Sequence, residues 1–291
     1  MPTRQLGQGR EQVFEGIFFL SALLSVLAII IICLFIFGHA LPFISKQGLG
    51  DFLLGMDWSP SNTPASYGIF PMVVGSLVVT LGAVLVGVPV GVLTALFLVY
   101  FCPDKLYNLL KPAVTVMAGI PSIVYGFFGL QVLVPVVRTY GGTGLSVLTA
   151  ALLLGMMILP TIITLSETAL RAVPKDYYTG SLALGASHER TVFKVMLPAA
   201  TSGIFSAIIL GVGRAIGETM AVILVAGNQP VLPSSLLRGV RTLTTNIVLE
   251  MAYASGEHRE ALIATAAVLF VFILLINGVF VLVKRKAVDH G

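Results

Sequence analysis

The sequence predicts an all-α integral membrane protein of about six transmembrane helices with both termini in the cytoplasm. Composition is the first reason. Of 291 residues, 57% are hydrophobic and only 10% are charged, where a soluble domain of this length carries about 25% charged residues. Mean hydropathy is +0.99, so the chain cannot clothe itself in polar surface and reads as a membrane protein. Six apolar runs are the second reason: approximately 14–40, 68–100, 113–137, 145–167, 199–226 and 261–283. Each reaches the ~20 residues that a spanning helix needs. Third, none of these runs alternates with a period of two. They read as helices, which satisfy their own backbone in lipid, and not as barrel strands.

Arg4 and Arg10 precede the first run. That run exceeds the ~7–15 apolar residues of a secretory signal, and no small-x-small cleavage site follows it, so an uncleaved first span is expected. The second run contains Pro89 and is long enough to tilt, kink or begin in the interface. The third contains "GIPSIVYGFFGL", where Pro121 removes a backbone donor and predicts a bend. For both prolines, ordinary helix distortion and a gating role remain open. Gly87 and Gly91 on the second span, and Gly213 and Gly217 on the fifth, form small-xxx-small faces suited to close helix packing.

Orientation follows from the lysines and arginines. With the N-terminus inside, inner segments hold eleven: Arg4, Arg10, Lys105, Lys111, Arg171, Lys175, Arg190, Lys194, Lys284, Arg285 and Lys286. Outer segments hold five: Lys46, Arg138, Arg238, Arg241 and Arg259. Two outer loops are long, 41–67 and 227–260. The first carries "MDWSPSNTP" with the only tryptophan, Trp58. An exposed Trp58 would either contact a delivery protein or anchor at the membrane interface.

The net charge of +4 is too small to imply nucleic acid. Cys33 and Cys102 lie in or beside different apolar runs, and the four histidines (His39, His188, His258, His290) show no metal spacing, so no metal site is expected. No glycine precedes a lysine, which excludes the GxxxxGK[ST] phosphate loop, and neither GxSxG nor HExxH occurs. The sequence therefore predicts a non-catalytic chain without a cofactor of its own.

The longest inner loop reads "RAVPKDYYTGSLALGASHERTVFKVMLPAA". It alternates helical stretches with a glycine turn at Gly185 and a stop at Pro198. Leu182, Leu184, Val192 and Val195 supply apolar residues on the cytoplasmic side. Such a face suits docking of another protein or, alternatively, a helix lying flat on the inner leaflet.

The fifth run holds "GVGRAIGETMAV", whose Arg214 and Glu218 are the only charged residues from 199 to 226. An unpaired arginine at a bilayer centre costs about 3 kcal/mol on insertion scales. The two are four residues apart, so they are expected on one helical face, about 6 Å apart along the axis. They form either a structural salt bridge or an anion pathway. In the second reading the guanidinium grips oxyanions and Glu218 positions it or limits its hold.

These residues also carry a resemblance. Gly185, followed after nine residues by Val195-Met196-Leu197-Pro198, resembles the EAA loop of ABC importer permeases, although Thr179-Gly180-Ser181 stands where that pattern has Glu-Ala-Ala. "WSP", "FPMVVGSLVVT", "GIPSIVYGFFGL", "SLALGAS…VMLPAA", "GRAIGETMAV" and "ALIATAAVLF" occur in order over about 50–285 and look like the PstC-type permease of phosphate ABC transporters. The resemblance implies a type I importer permease with three parts. These are a cytoplasmic N-terminus and first helix (1–50), a permease core (51–285) with its coupling loop at 171–198, and a cytoplasmic tail (286–291). It implies ATPase coupling through Gly185, Ala186, Leu197 and Pro198, and a substrate pathway at Arg214 and Glu218. It also implies a sister permease as heterodimer partner, two separate ATP-binding subunits that hydrolyse the ATP, an extracytoplasmic phosphate-binding protein, and a prokaryotic plasma membrane. The alternatives are a permease for sulfate, molybdate or another oxyanion, an ATPase-independent transporter or channel and, least favoured, a membrane enzyme.

Overall fold

The computed structural model describes residues 5–288, with side chains from 13 to 282. Arg4, and residues 289–291 of the expected tail, lie outside the described residues. The chain opens with helix α1 (Gln5–Gln47), followed by α2 (Leu49–Leu54) and a short hairpin, β1 (Trp58–Ser59) with β2 (Ser66–Tyr67). Helix α3 (Phe70–Leu96) runs on through a π turn, Phe97–Phe101. Helices α4 (Asp104–Gly119), α5 (Ser122–Phe128) and α6 (Val134–Arg138) come next, α5 and α6 joined by a π turn at Gly129–Leu133. Helix α7 (Val147–Arg171) leads into the cytoplasmic segment, α8 (Lys175–Ala183), α9 (His188–Thr191) and α10 (Leu197–Ala199), the last two bridged by a π turn at Val192–Met196. The chain closes with α11 (Thr201–Gly217), α12 (Met220–Val225), α13 (Leu243–Glu250) and α14 (Gly256–Val288).

Four unbroken stretches are long and apolar enough to cross a bilayer: Val13–Gln47, Phe70–Phe101, Val147–Arg171 and Gly256–Leu282. The third sequence run is bent, as Pro121 predicts, whereas the fifth departs from the single helix expected of it. Asp104–Gly119 and Ser122–Arg138 meet at 101°, and His188–Ala199 and Thr201–Gly217 meet at 68°. The first bend lies at Pro121, whose ψ of 140 ends one helix and starts the next. Counting each bent pair as one span recovers the six. Pro89, by contrast, sits inside a helix that continues from Phe70 to Leu96.

Helices α3 and α7 run side by side in the same direction and form the centre of the molecule. Their contact is set by glycine. A Cβ on Gly82 would stand 2.7 Å from the Ala151 methyl, one on Gly87 2.7 Å from Ile158, and one on Gly91 2.7 Å from Ile162. Only a residue without a side chain lets the two backbones come this close, as in small-residue interfaces generally. Around this seam Ala150, Leu153, Leu154, Met157, Ile158 and Ile162 are buried with Val79 and Ala83 of α3 and Val222, Val225 and Ala226 beyond α11. The expected packing role of Gly87 and Gly91 is therefore realised. Gly213 and Gly217 meet nothing within 4 Å, so their face is open within this chain.

Helix α1 is about 65 Å long at 1.5 Å per residue. Almost every side chain from Val13 to Phe35 is exposed, and the helix is held through its second half. There Ile36, Phe37, Ala40, Phe43 and Ile44 pack with Phe52, Tyr67, Leu262 and Ala264. Lys46 at the end of α1 pairs with Glu257 at the start of α14. The two terminal helices are therefore antiparallel, and the first turn of α1 and the last turn of α14 lie on the same side, in agreement with the positive-charge count.

Candidate functional site

Arg214 lies thirteen residues into α11, about 20 Å from its start at 1.5 Å per residue, near the middle of the apolar run 199–226. Its Nη1 donates to Thr161 Oγ1 of α7 at 3.4 Å, the long end of the hydrogen-bond range. The reading that puts Arg214 and Glu218 on one helical face is corrected by the backbone. Helix α11 stops at Gly217, and Glu218 is extended (φ −71, ψ 130). The Glu218 carboxylate instead accepts the backbone N–H groups of Thr219 and Ala221, at 3.2 Å each. It thus satisfies donors that the start of α12 would otherwise leave open, and its charge suits the positive end of that helix. Thr244 reinforces the break by donating to the Glu218 carbonyl at 3.1 Å. Among the described residues every ion pair uses Glu167, Glu250 or Glu257. None of these involves Arg214, so the salt-bridge reading finds no partner for it among the described residues.

The cytoplasmic segment folds as helix, turn, helix. Gly185 has φ +85, a left-handed conformation that costs an L-residue about 1–2 kcal/mol and a glycine almost nothing. Ala186 N–H bonds to the Ser181 carbonyl at 3.2 Å and Gly185 N–H to Leu182 at 2.9 Å, the paired pattern that closes a helix on a glycine. Ser187 then caps α9 by accepting Arg190 N–H. Ser181 and Thr191 bond through their hydroxyls at 2.9 Å, and Tyr178 Oη meets His188 Nδ1 at 2.7 Å. Ser181, the last residue of the Thr179-Gly180-Ser181 departure, therefore ties the two arms together.

Leu184 is 91% exposed, and Tyr177 and Phe193 are exposed beside the same turn. Val192 does not belong to that face: it is wholly buried with Ala95, Leu96, Leu170 and Ala200. Val195 is partly buried. The apolar residues of the loop thus divide into Leu182 and Leu184, which point outward, and Val192, which seats the loop on the membrane helices. Of the coupling candidates, Gly185 and Pro198 are exposed, while Ala186 and Leu197 are partly buried.

Two polar clusters escaped sequence reading. Glu167, buried on α7, accepts Tyr107 Oη at 2.7 Å, Lys111 Nζ at 2.8 Å and Arg171 Nε at 3.0 Å. It fastens α4 to the end of α7 just before the cytoplasmic loop. Glu250 accepts Arg241 Nη1 at 2.5 Å, Trp58 Nε1 at 2.9 Å and His258 Nε2 at 2.8 Å. It joins both outer loops to α14. Trp58 is only 5% exposed, which corrects both readings of it as an exposed side chain: it is a buried donor. The signal for the Glu167 cluster was the i, i+4 pair Tyr107 and Lys111 on the amphipathic α4. The Glu250 cluster joins residues up to 192 positions apart and had no local signal.

The chain is thus a bundle of apolar helices with one span broken at Glu218 and a folded helix–turn–helix segment. The family model described as "Binding-protein-dependent transport system inner membrane component" matches residues 87–289. A probable ABC transporter permease protein, YqgH, of Bacillus subtilis (strain 168) is 38% identical over 285 residues, covering 94% of this chain and 91% of that one. The phosphate transport system permease protein PstC of Mesorhizobium japonicum is 31% identical over 251 residues, 79% of this chain and 76% of that one. In structure, a chain of the inward-facing MetNI methionine ABC transporter superposes with TM-score 0.62 at 22% identity, over 75% of this chain and 95% of that one. The chain belongs to the family of inner-membrane components of binding-protein-dependent transport systems, the permease subunits of ABC transporters. It is a multi-pass membrane protein with the fold of a type I importer permease.

Removing the Glu250 carboxylate leaves Arg241 and His258 facing each other, both 14% exposed. Glu250→Ala is expected to lower stability by about 3 kcal/mol, as for other broken buried pairs. This is read as an earlier thermal unfolding transition of the detergent-solubilised protein.

Proposed function

We propose that this chain is a permease subunit of an ATP-driven phosphate importer in a prokaryotic plasma membrane, with Arg214 in the translocation pathway. The observation that carries the reading is Arg214 itself, a guanidinium near the middle of the apolar run 199–226 whose nearest acidic neighbour in sequence is engaged with the backbone of α12. A charge in such a run belongs on a water-filled route or against a counter-charge, and a planar guanidinium matches the oxygens of a tetrahedral anion by paired hydrogen bonds. Glu218 contributes by ending α11 where it does, so that the anion meets positive charge without a facing carboxylate. The open Gly213 and Gly217 face beside Arg214 is where a sister permease would complete the pathway. The PstC relatives support phosphate as the cargo.

Within this reading the chain is non-catalytic and holds no cofactor. Two ATP-binding subunits dock at the turn built on Gly185, with Leu184 as the exposed apolar contact. An extracytoplasmic phosphate-binding protein delivers to the outer surface, whose loops are locked together by Glu250. Closure of the ATPases on ATP pushes on α8 and α9, and the π turn at Val192–Met196 and α10 carry that displacement into α11. Permeases for sulfate or molybdate share this physics, so the cargo is decided by competition and not by the arginine.

Cells lacking this chain's gene, complemented with wild type, are expected to regain uptake of labelled phosphate that excess sulfate or molybdate does not reduce. Competition by either would assign the cargo to another oxyanion. Arg214→Gln should abolish uptake while the complex still assembles, and loss of assembly instead would make Arg214 a structural residue. Gly185→Val, a β-branched residue in a left-handed turn, should reduce copurification of the ATPase subunits and uptake together. Gly185→Asn, which tolerates that conformation, should retain both. Equal ATPase recovery from the two variants would remove the docking role.

A further inference from the structure

Helix α7 changes character at Arg214. On the outer side, Leu154, Met157 and Pro160 are apolar and buried. From Thr161 inward, one face carries Thr161, Thr164, Thr168 and Arg171, spaced i, i+3, i+7 and i+10. At 100° per residue these four lie within an arc of about 80° and descend about 15 Å. Thr161 and Thr164 are partly buried, and Thr168 and Arg171 are exposed.

The flanks of this strip are occupied. On one side α4 reaches Glu167 through Tyr107 and Lys111. On the other α11 reaches Thr161 through Arg214. The strip lies between them. Its upper end is the Arg214 guanidinium. Its lower end is the pair Lys111 and Arg171, both leaning on the single carboxylate of Glu167, so that two cations face one anion. Thr168 and Thr161 have partners within the chain, so the cations at the two ends are what set the strip apart: such charges are costly against lipid tails. The strip suits an anion that must shed water at the membrane centre and regain it at the inner face.

We propose that the α7 face Thr161, Thr164, Thr168 and Arg171 is the inner half of the translocation route and conducts a tetrahedral oxyanion from Arg214 to the cytoplasm. This rests on the reading of Arg214 as a pathway residue. The Thr168 hydroxyl donates to the Thr164 carbonyl at 2.9 Å and turns from it to meet the anion; such neutral donors replace hydration without trapping a charge, which lets the anion leave Arg214. The excess positive charge at Arg171 and Lys111 draws it inward, and Glu167 keeps that lower station from holding it. The strip sets the rate of release and not the affinity for the delivered anion.

The test is labelled inorganic phosphate uptake by the assembled transporter carrying Thr164→Val with Thr168→Val, a near-isosteric change that removes only the hydroxyls. Flux at saturating external phosphate is expected to fall about tenfold, the scale of a lost hydrogen bond to a charged group. Half-saturation and recovery of the complex should stay unchanged, and Thr164→Ser with Thr168→Ser should restore the flux. Wild-type flux in the valine variant, with Arg214→Gln inactive, would overturn the strip and leave the pathway reading intact. Normal uptake by Arg214→Gln would remove the premise for both. If the double valine variant assembles poorly, the exposed Thr168→Val alone decides: unchanged flux at normal assembly counts against the strip.

Discussion

The Glu218 carboxylate bonds to the backbone N–H groups of Thr219 and Ala221, and much of the membrane centre follows from that. The bonds stabilise a helix start in the middle of an apolar segment, where open donors would otherwise face hydrocarbon. They therefore permit α11 to end at Gly217. Ending it there separates Glu218 from Arg214, which an unbroken helix would have placed one turn apart on the same face. Arg214 is left with one long hydrogen bond to Thr161 and no carboxylate partner among the described residues. A buried polar network and a free cation are produced by one local change of backbone direction.

The same economy of acidic groups recurs at three depths. On the outer side Glu250 is shared by Arg241, His258 and Trp58. At the centre Glu218 faces backbone donors. On the inner side Glu167 is shared by Lys111, Arg171 and Tyr107. Each carboxylate is consumed by structure, and in the two clusters cations equal or outnumber it. In the proposed pathway such a core would offer a passing anion positive charge and hydroxyls, with each carboxylate already engaged. The α3–α7 seam supplies the rigid frame, because Gly82, Gly87 and Gly91 let the backbones approach until Ala151, Ile158 and Ile162 lock against them.

Most of the framework was legible in the sequence, since spans are declared by run length and the Gly87–Gly91 face by spacing. Gly185 was legible because a left-handed helix end demands glycine. The break at Glu218 was not. Nothing in "GRAIGETMAV" is a strong helix breaker, and the side chain that ends the helix is a good helix former acting through its own neighbouring N–H groups. Pro121 announced a bend but not its 101°, because the angle is set by how α5 packs on α12 through Gly126 and Ala221. Trp58 was misread because exposure was inferred from its place in a polar loop, whereas its partner lies 192 residues away. Local spacing cannot report such a pair. Phosphate itself was visible only through resemblance, as one arginine does not choose among oxyanions.

The claim at the centre is that Arg214 serves a mobile anion through its positive charge. It is tested most directly by Arg214→Cys in a chain with Cys33→Ser and Cys102→Ser, modified by thiol reagents of equal length and opposite charge. Labelled phosphate uptake should be lost in the unmodified variant, return when the attached group is cationic, and stay lost when it is anionic. Recovery with either group, or uptake that never depended on position 214, would contradict the claim.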